Sequence, residues 1–209
     1  MKDKKNDKYH RIIKAATKVF AKKGFYQAKV SEIAKEAQVA DGTIYLYFEN
    51  KDDVLISLFE EQMAWILDNM KAQIAGKENA IKKIETFVLT HLDLIEKNKD
   101  LAEIIQVELR QSSKFMKDYK NENFTQYLNL IGEIIQEGQE KGFFKQYIIP
   151  DIAKRAFFGA LDEMSRFWVL SSRRKYDIET AAKQISDYFM GGWVVNNSKE
   201  EQNDSYEGR

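Results

Sequence analysis

The sequence predicts an all-α protein in which a small three-helix head carrying a helix-turn-helix sits on a larger helical body. Three observations predict it. Apolar residues recur at three- and four-residue spacing almost throughout, with no sustained period-two alternation. One proline and ten glycines in 209 residues leave few interruptions. Charge is also divided unevenly. Residues 1–51 carry twelve basic and six acidic side chains, a net of +6, against twenty-one and twenty-seven in the remainder, a net of −6. A basic head on an acidic body fits contact of one end with a polyanion, and fits a merely solubilising face equally well.

The first helix is expected over about Lys8 to Lys23, with Ile12, Ile13, Ala16, Val19 and Phe20 as its apolar stripe and Gly24 ending it. Two short helices follow, over 30–37 and 42–48, joined by 38-QVAD-41. A long helix from Lys51 to Gly76 carries Val54, Leu55, Leu58, Phe59, Trp65, Ile66 and Met70. Further helices are expected over 78–96, 99–112, 116–140, 151–172 and 177–195. Pro150 suits a first helical turn, where its missing N–H costs nothing. The expected organisation is therefore a three-helix head over 1–51, a larger helical body over 52–195, and a polar, disordered tail over 196–209. The boundary falls at the long fourth helix, so no flexible linker separates head from body.

Several classes of function are disfavoured. With no cysteine, the chain has neither a disulfide framework nor a thiolate metal site. Its longest uncharged stretch, 188-YFMGGWVVNNS-198, is eleven residues, where a membrane span needs roughly 20. The N-terminus lacks the apolar core of a signal peptide. A cytoplasmic protein with no membrane partner is expected. No phosphate loop, G-x-G-x-x-G or H-E-x-x-H occurs, and the two histidines, His10 and His91, form no constellation. His91 reads as a packed or half-exposed core residue. Neither an enzyme, nor a metal site, nor a bound cofactor is expected.

The stretch 41-DGTIYLYFENKDDVL-55 carries the most information. Two short helices, joined by a tight turn and braced by a longer helix, make a helix-turn-helix. Ile33, Ala34, Ala37, Val39, Ile44 and Phe48 supply a small core. Thr43, Tyr45 and Tyr47 then project outward, where a major groove would receive them. Lys51 opens the next helix, where its ammonium and the backbone N–H groups can converge on one phosphate. The candidate DNA-facing set is Lys29, Ser31, Gly42, Thr43, Tyr45, Tyr47 and Lys51.

These residues also carry a family resemblance. The run 11-RIIKAATKVFAKKGFYQAKVSEIAKEAQVADGTIYLYFENKDDVL-55 resembles the head of TetR-family repressors: Ala-Ala-x-x-x-Phe, Gly-Phe, Ile-Ala, and Gly-Thr-Ile-Tyr-x-Tyr-Phe-x-Asn-Lys. The resemblance implies a helical ligand-binding body that dimerises, placing two recognition helices about one DNA turn (~34 Å) apart on a near-palindromic operator. Two positions depart from the family pattern. Gln38 stands where glycine is usual, which is unfavourable if φ is positive there. Lys29 replaces a threonine before the second helix, a lost cap hydroxyl worth ~1 kcal/mol for which Ser31 is a partial substitute.

In the body, 156-AFFGALDEMSRFWVL-170 is apolar around most of its circumference, so it needs cover on more than one side. That helix and 124-FTQYLNLIGEIIQEG-138 are the expected dimer interface. The stretches 105-IQVELRQS-112, 39-VADGTIYLYF-48, 54-VLISLF-59 and 157-FFGALDEM-164 resemble the acyl-CoA-responsive repressors of fatty-acid degradation. The resemblance implies release from DNA by long-chain acyl-CoA. Leu101, Ile105, Leu109, Leu128, Phe158, Leu161 and Trp168 are expected to line an acyl tunnel, with Arg110 and Arg166 as candidate cations at its mouth. Two rivals remain: a TetR-type regulator of drug efflux binding lipophilic cations against buried carboxylates, and a helical protein-interaction module that binds no DNA.

Overall fold

The computed structural model describes residues 2–108 and 122–195, and among these it is helical without a named strand. The head comprises α1 (Lys2–Lys23), α2 (Val30–Glu36) and α3 (Asp41–Ile44). The body begins with α4 (Lys51–Ile74), α5 (Ala80–Lys97) and α6 (Lys99–Glu103). A π-helical turn over Ile104–Glu108 follows, then α7 (Glu122–Glu140), α8 (Pro150–Leu170) and α9 (Ile178–Trp193).

Local chemistry explains most boundaries. Asn50 caps α4 by accepting from Asp53 N–H, and the Asp53 carboxylate accepts from Glu49 N–H in return. Asn79 and Asp177 cap α5 and α9 in the same way, and Pro150 opens α8. Gly24, Gly76 and Gly142 take positive φ just beyond helix ends, where only glycine is unstrained. Gly138 has a different reason. A Cβ there would lie 2.1 Å from the ring of Phe144, which is fully buried and packs edge-on against Trp193.

Some expectations are corrected. The third helix is one turn long, not seven residues: beyond Ile44 the chain continues as a turn in which Leu46 N–H donates to Thr43 O and Tyr47 N–H to Ile44 O. The helix expected over 99–112 turns π-helical at Ile104, and its end lies outside the described residues, as do the start of the 116–140 helix and the tail. Trp65 is 47% exposed; Met63 and Leu67 fill the interior in its place, since the buried stripe of α4 runs through 63, 67, 70 and 74.

One continuous core runs from head to body. α1 packs on α2 on one side and on α4, α6 and the π-helical turn on the other, so it is the helix through which the head meets the body. The π-helical turn also packs on α8.

Candidate DNA interface and effector body

The turn between α2 and α3 sets the angle of the recognition element. Gln38 has φ 55°, the left-handed conformation that glycine would adopt without strain. The chain closes a Schellman pattern around it: Gln38 N–H donates to Lys35 O (3.1 Å) and Val39 N–H to Ala34 O (3.0 Å). Arg11 of α1 then donates through Nη2 to Ala37 O (2.5 Å) and Gln38 O (3.1 Å). A guanidinium from the bracing helix thus holds a turn that carries no glycine.

At the start of α2, Lys29 has no side-chain oxygen to serve as a cap. The compensation comes from Glu32, whose carboxylate accepts from Lys29 N–H (3.1 Å) and from the Lys23 ammonium. Those two bonds, Lys23 foremost, hold the Glu32 carboxyl below its usual pKa.

Lys29, Ser31, Tyr45 and Lys51 gather around one hollow of about 540 Å³ at the mouth of the helix-turn-helix. Tyr45 is 59% exposed, while Thr43 is half-buried and open space surrounds Gly42. Tyr47 differs from expectation: it is half-buried, its ring 6.4 Å from that of Tyr9 and 6.3 Å from that of Phe48. Leu46 stands out instead, 75% exposed beside Tyr45. Leu46 lies midway between buried Ile44 and Phe48, on the outward side with Tyr45.

Lys51 is also placed differently. Its ammonium donates to Phe25 O (2.6 Å), Ala28 O (3.0 Å) and Tyr26 O (3.2 Å), and lies 4.6 Å from the Phe25 ring centroid. All three of its donors are spent on the loop before α2. In the free protein Lys51 fastens that loop to the start of α4, and any phosphate must compete for its donors.

In the body, Leu161 and Trp168 are fully buried, Leu101 nearly so, and Ile105, Leu128 and Phe158 are half-buried against the core. Leu109 and Arg110 lie outside the described residues. Arg166 pairs with Glu163 through Nε (2.9 Å) and Nη2 (2.6 Å), the ion pair that its spacing permits.

Sequence reasoning missed a polar chain inside this apolar body. Tyr127 O–H donates to His91 Nδ1 (2.7 Å), His91 Nε2–H donates to Ser165 Oγ (3.0 Å), and Ser165 O–H donates to Leu161 O (2.8 Å). The directions follow from Ser165, whose one proton is used on the carbonyl. Burial pushes His91 down to about 4, against a small opposing pull from Asp162, and pushes Tyr127 well above the usual phenol value. The network is neutral at physiological pH. Its members lie 36 and 74 residues from His91, so nothing local in the sequence announces it.

The two helices of the expected dimer pair, α7 and α8, differ in what they expose. α7 buries Tyr127, Leu130, Ile131, Ile134 and Ile135 and exposes no large apolar side chain. Exposed apolar residues occur on α8 (Ile152, Phe167, Leu170) and at α9 and its end (Tyr188, Val195), and in the body also at Trp65, Leu89, Tyr147, Ile149 and Tyr176. No residue set suited to a metal occurs among the described residues, and none of their helices is long and apolar enough to cross a membrane.

Comparison with known proteins agrees with this anatomy. The family model for bacterial regulatory proteins of the tetR family matches residues 12–58, and that for the YsiA-like protein C-terminal region matches residues 59–192. The fatty acid metabolism regulator protein of Bacillus subtilis is 39% identical over 188 residues, covering 90% of this chain and 96% of that protein. The fatty acid degradation regulator FadR from Bacillus halodurans superposes with a TM-score of 0.82 at 43% identity, over 88% of this chain and 95% of its own. FadR from Bacillus subtilis, solved with stearoyl-CoA, gives 0.82 at 38% identity, over 88% and 98%. With both regions matched by family models and near-complete coverage of such relatives, this chain belongs to the TetR family of bacterial transcriptional regulators and is not an enzyme.

Proposed function

We propose that the chain is a homodimeric cytoplasmic repressor of fatty-acid degradation genes that leaves a near-palindromic operator when it binds long-chain acyl-CoA. The observation that carries this reading is likeness over nearly the whole chain to fatty acid regulators, one of them solved with stearoyl-CoA. The DNA-facing set is Lys29, Ser31, Gly42, Thr43, Tyr45 and Leu46, with Tyr47 beside them. Lys51 acts first by fixing the loop that presents Lys29 and Ser31.

Dimerisation through α8 and α9 is supported by their exposed apolar residues and by glycines that one chain does not explain. A Cβ at Gly159, Gly191 or Gly192 meets nothing within 4 Å. Glycine within a helix costs about 1 kcal/mol relative to alanine, and close approach of a second copy would account for it.

Ile105, Leu128 and Phe158 keep accessible surface beside the core, as the wall of an acyl tunnel would. Coupling then runs through the π-helical turn, which touches α8 in the body and α1 in the head. Buried Gln106 of that turn donates to Asp162 of α8 (3.2 Å). π-helical turns recur at functional sites, and a chain entering beside Ile105 would displace this one and tilt α1. The efflux reading lacks its buried carboxylate: among the described residues, the buried polar side chains are Gln106, Ser165 and Ser186.

The test is release of a duplex selected by the protein from random DNA, followed by fluorescence anisotropy. Stearoyl-CoA is expected to release it and lipophilic cationic dyes are not. The opposite result would replace the reading with the efflux one.

A further inference from the structure

The first turns of α1 lie ahead of the stretch that the head's family model matches, which begins at residue 12. They are tied into the head all the same. Tyr9 stacks on Phe48 with ring centroids 5.3 Å apart, lies 6.4 Å from the Tyr47 ring, and shares a hydrogen bond with the Ser57 side chain of α4. His10 is bonded to Glu61 of α4 (3.2 Å), and Arg11 to the carbonyls of the α2–α3 turn. Three successive residues thus hold α1 at three separate points, which fixes the direction of the helix ahead of them.

We propose that the segment ahead of Tyr9 is a second DNA contact, with Lys2 and Lys5 meeting the phosphate strand at the edge of the groove that the recognition element occupies. The proposal rests on the DNA-binding reading of the head and adds to it a contact outside the helix-turn-helix.

The segment 2-KDKKNDK-8 holds four lysines and two aspartates, all within α1. Helical spacing sorts them by face. Lys2 stands three residues before Lys5, and Lys5 four before Tyr9, so the three continue the stripe that buries Ile12, Ile13 and Ala16. Asp3 and Asp7, four apart, fall on the opposite face. At about 1.5 Å of rise per residue, Lys5 and Lys2 lie roughly 6 and 10 Å beyond Tyr9 along the axis. Tyr9 itself already rests at the far end of the recognition element, against Tyr47 and Phe48. A major groove is about 12 Å wide, so a helix running one to two turns past that end reaches the bordering phosphates.

A competing seat exists. Asp53, Glu60 and Glu61 of α4 lie close enough to act on Tyr9. All three have partners: Asp53 accepts from Glu49 N–H, Glu61 is bonded to His10, and Glu60 has an interaction of its own. The test separates this acidic edge from DNA.

The experiment measures binding to a duplex selected by the protein from random DNA, by fluorescence anisotropy between roughly 50 and 200 mM salt. The full-length wild type is compared with the double variant Lys2→Gln, Lys5→Gln and with Lys4→Gln, Lys8→Gln, whose positions fall on a different face. Melting curves confirm that each variant folds. The first variant is expected to lower the slope of log K against log salt by about 1.8 per protomer, 0.9 for each lost phosphate, and the second by much less. Ethylation interference should then reveal phosphates beside each recognition element that matter to the wild type and not to the first variant. An unchanged slope would overturn the proposal, and a lower melting temperature with it would seat the lysines on α4. Equal losses from both variants would replace the contact by diffuse attraction and overturn it as well. A wild type that selects no duplex would remove the DNA-binding reading itself.

Discussion

Replacing Gln38 with glycine is expected to make the protein more stable. The residue sits at φ 55°, where an L side chain costs about 1–2 kcal/mol relative to the right-handed regions. Glycine removes that strain and adds unfolded-state freedom worth about 0.4–1 kcal/mol in the other direction. The net gain is about 0.5–1 kcal/mol. The side chain is exposed, and the bonds that hold the turn, from Arg11 and to Lys35, run through the main chain, so the substitution keeps them. For a chain of this length the gain corresponds to a rise in Tm of about 2 °C. Thermal and urea unfolding at matched protomer concentration would measure it, with the urea slope unchanged. Arg11→Ala in the same assay should destabilise, and the two changes should be nearly additive, because Arg11 bonds carbonyls and not the Gln38 side chain. A lower Tm for Gln38→Gly would refute the strain argument and point to a role for the glutamine amide.

Three other outcomes are expected. Lys51→Ala should lower stability by about 1–3 kcal/mol, since three carbonyls, two of them part-buried, lose a charged donor, while the salt dependence of operator binding keeps its slope; a slope reduced by about one per protomer would return Lys51 to the phosphate. Leu46→Ala should weaken operator binding and abolish any preference for thymine over uracil, which lacks the methyl, at the contacted position; a wild-type protein indifferent to the methyl would exclude this contact. His91 is held at about 4, below its value of 6.5 in an unfolded chain, so the unfolded state binds more protons between these limits. Stability is then full above pH 6.5 and falls as pH drops towards 4, by about 2 kcal/mol at pH 5. His91→Gln should flatten that part of the pH profile, and an unchanged profile would show that other groups carry it.

What the sequence disclosed and what it withheld follow from distance along the chain. Helices, caps and the helix-turn-helix are written in local periodicity and spacing. Even the strained Gln38 turn was legible, because the neighbouring motif fixes where a left-handed residue must fall. The loop contacts of Lys51 were not legible because its partners lie 23 to 26 residues away, and a lysine at a helix start reads equally well as a phosphate ligand. Trp65 was misjudged because periodicity tempts one to turn every large apolar residue of a helix inward. The Tyr127–His91–Ser165 chain joins three helices, and the proposal of α9 in place of α7 as dimer surface rests on which faces the monomer has already covered. Both are properties of packing, which spacing alone does not encode.

The proposed mechanism requires the effector to change the separation of the two heads. The chain has no cysteine, so Lys35→Cys on the exposed side of α2 provides a single spin label in each protomer. Double electron–electron resonance on the operator-bound dimer should give one narrow distance distribution, set by recognition elements about 34 Å apart. Saturating stearoyl-CoA should shift or broaden that distribution as DNA is released. Release of DNA with an unaltered distribution would contradict the account.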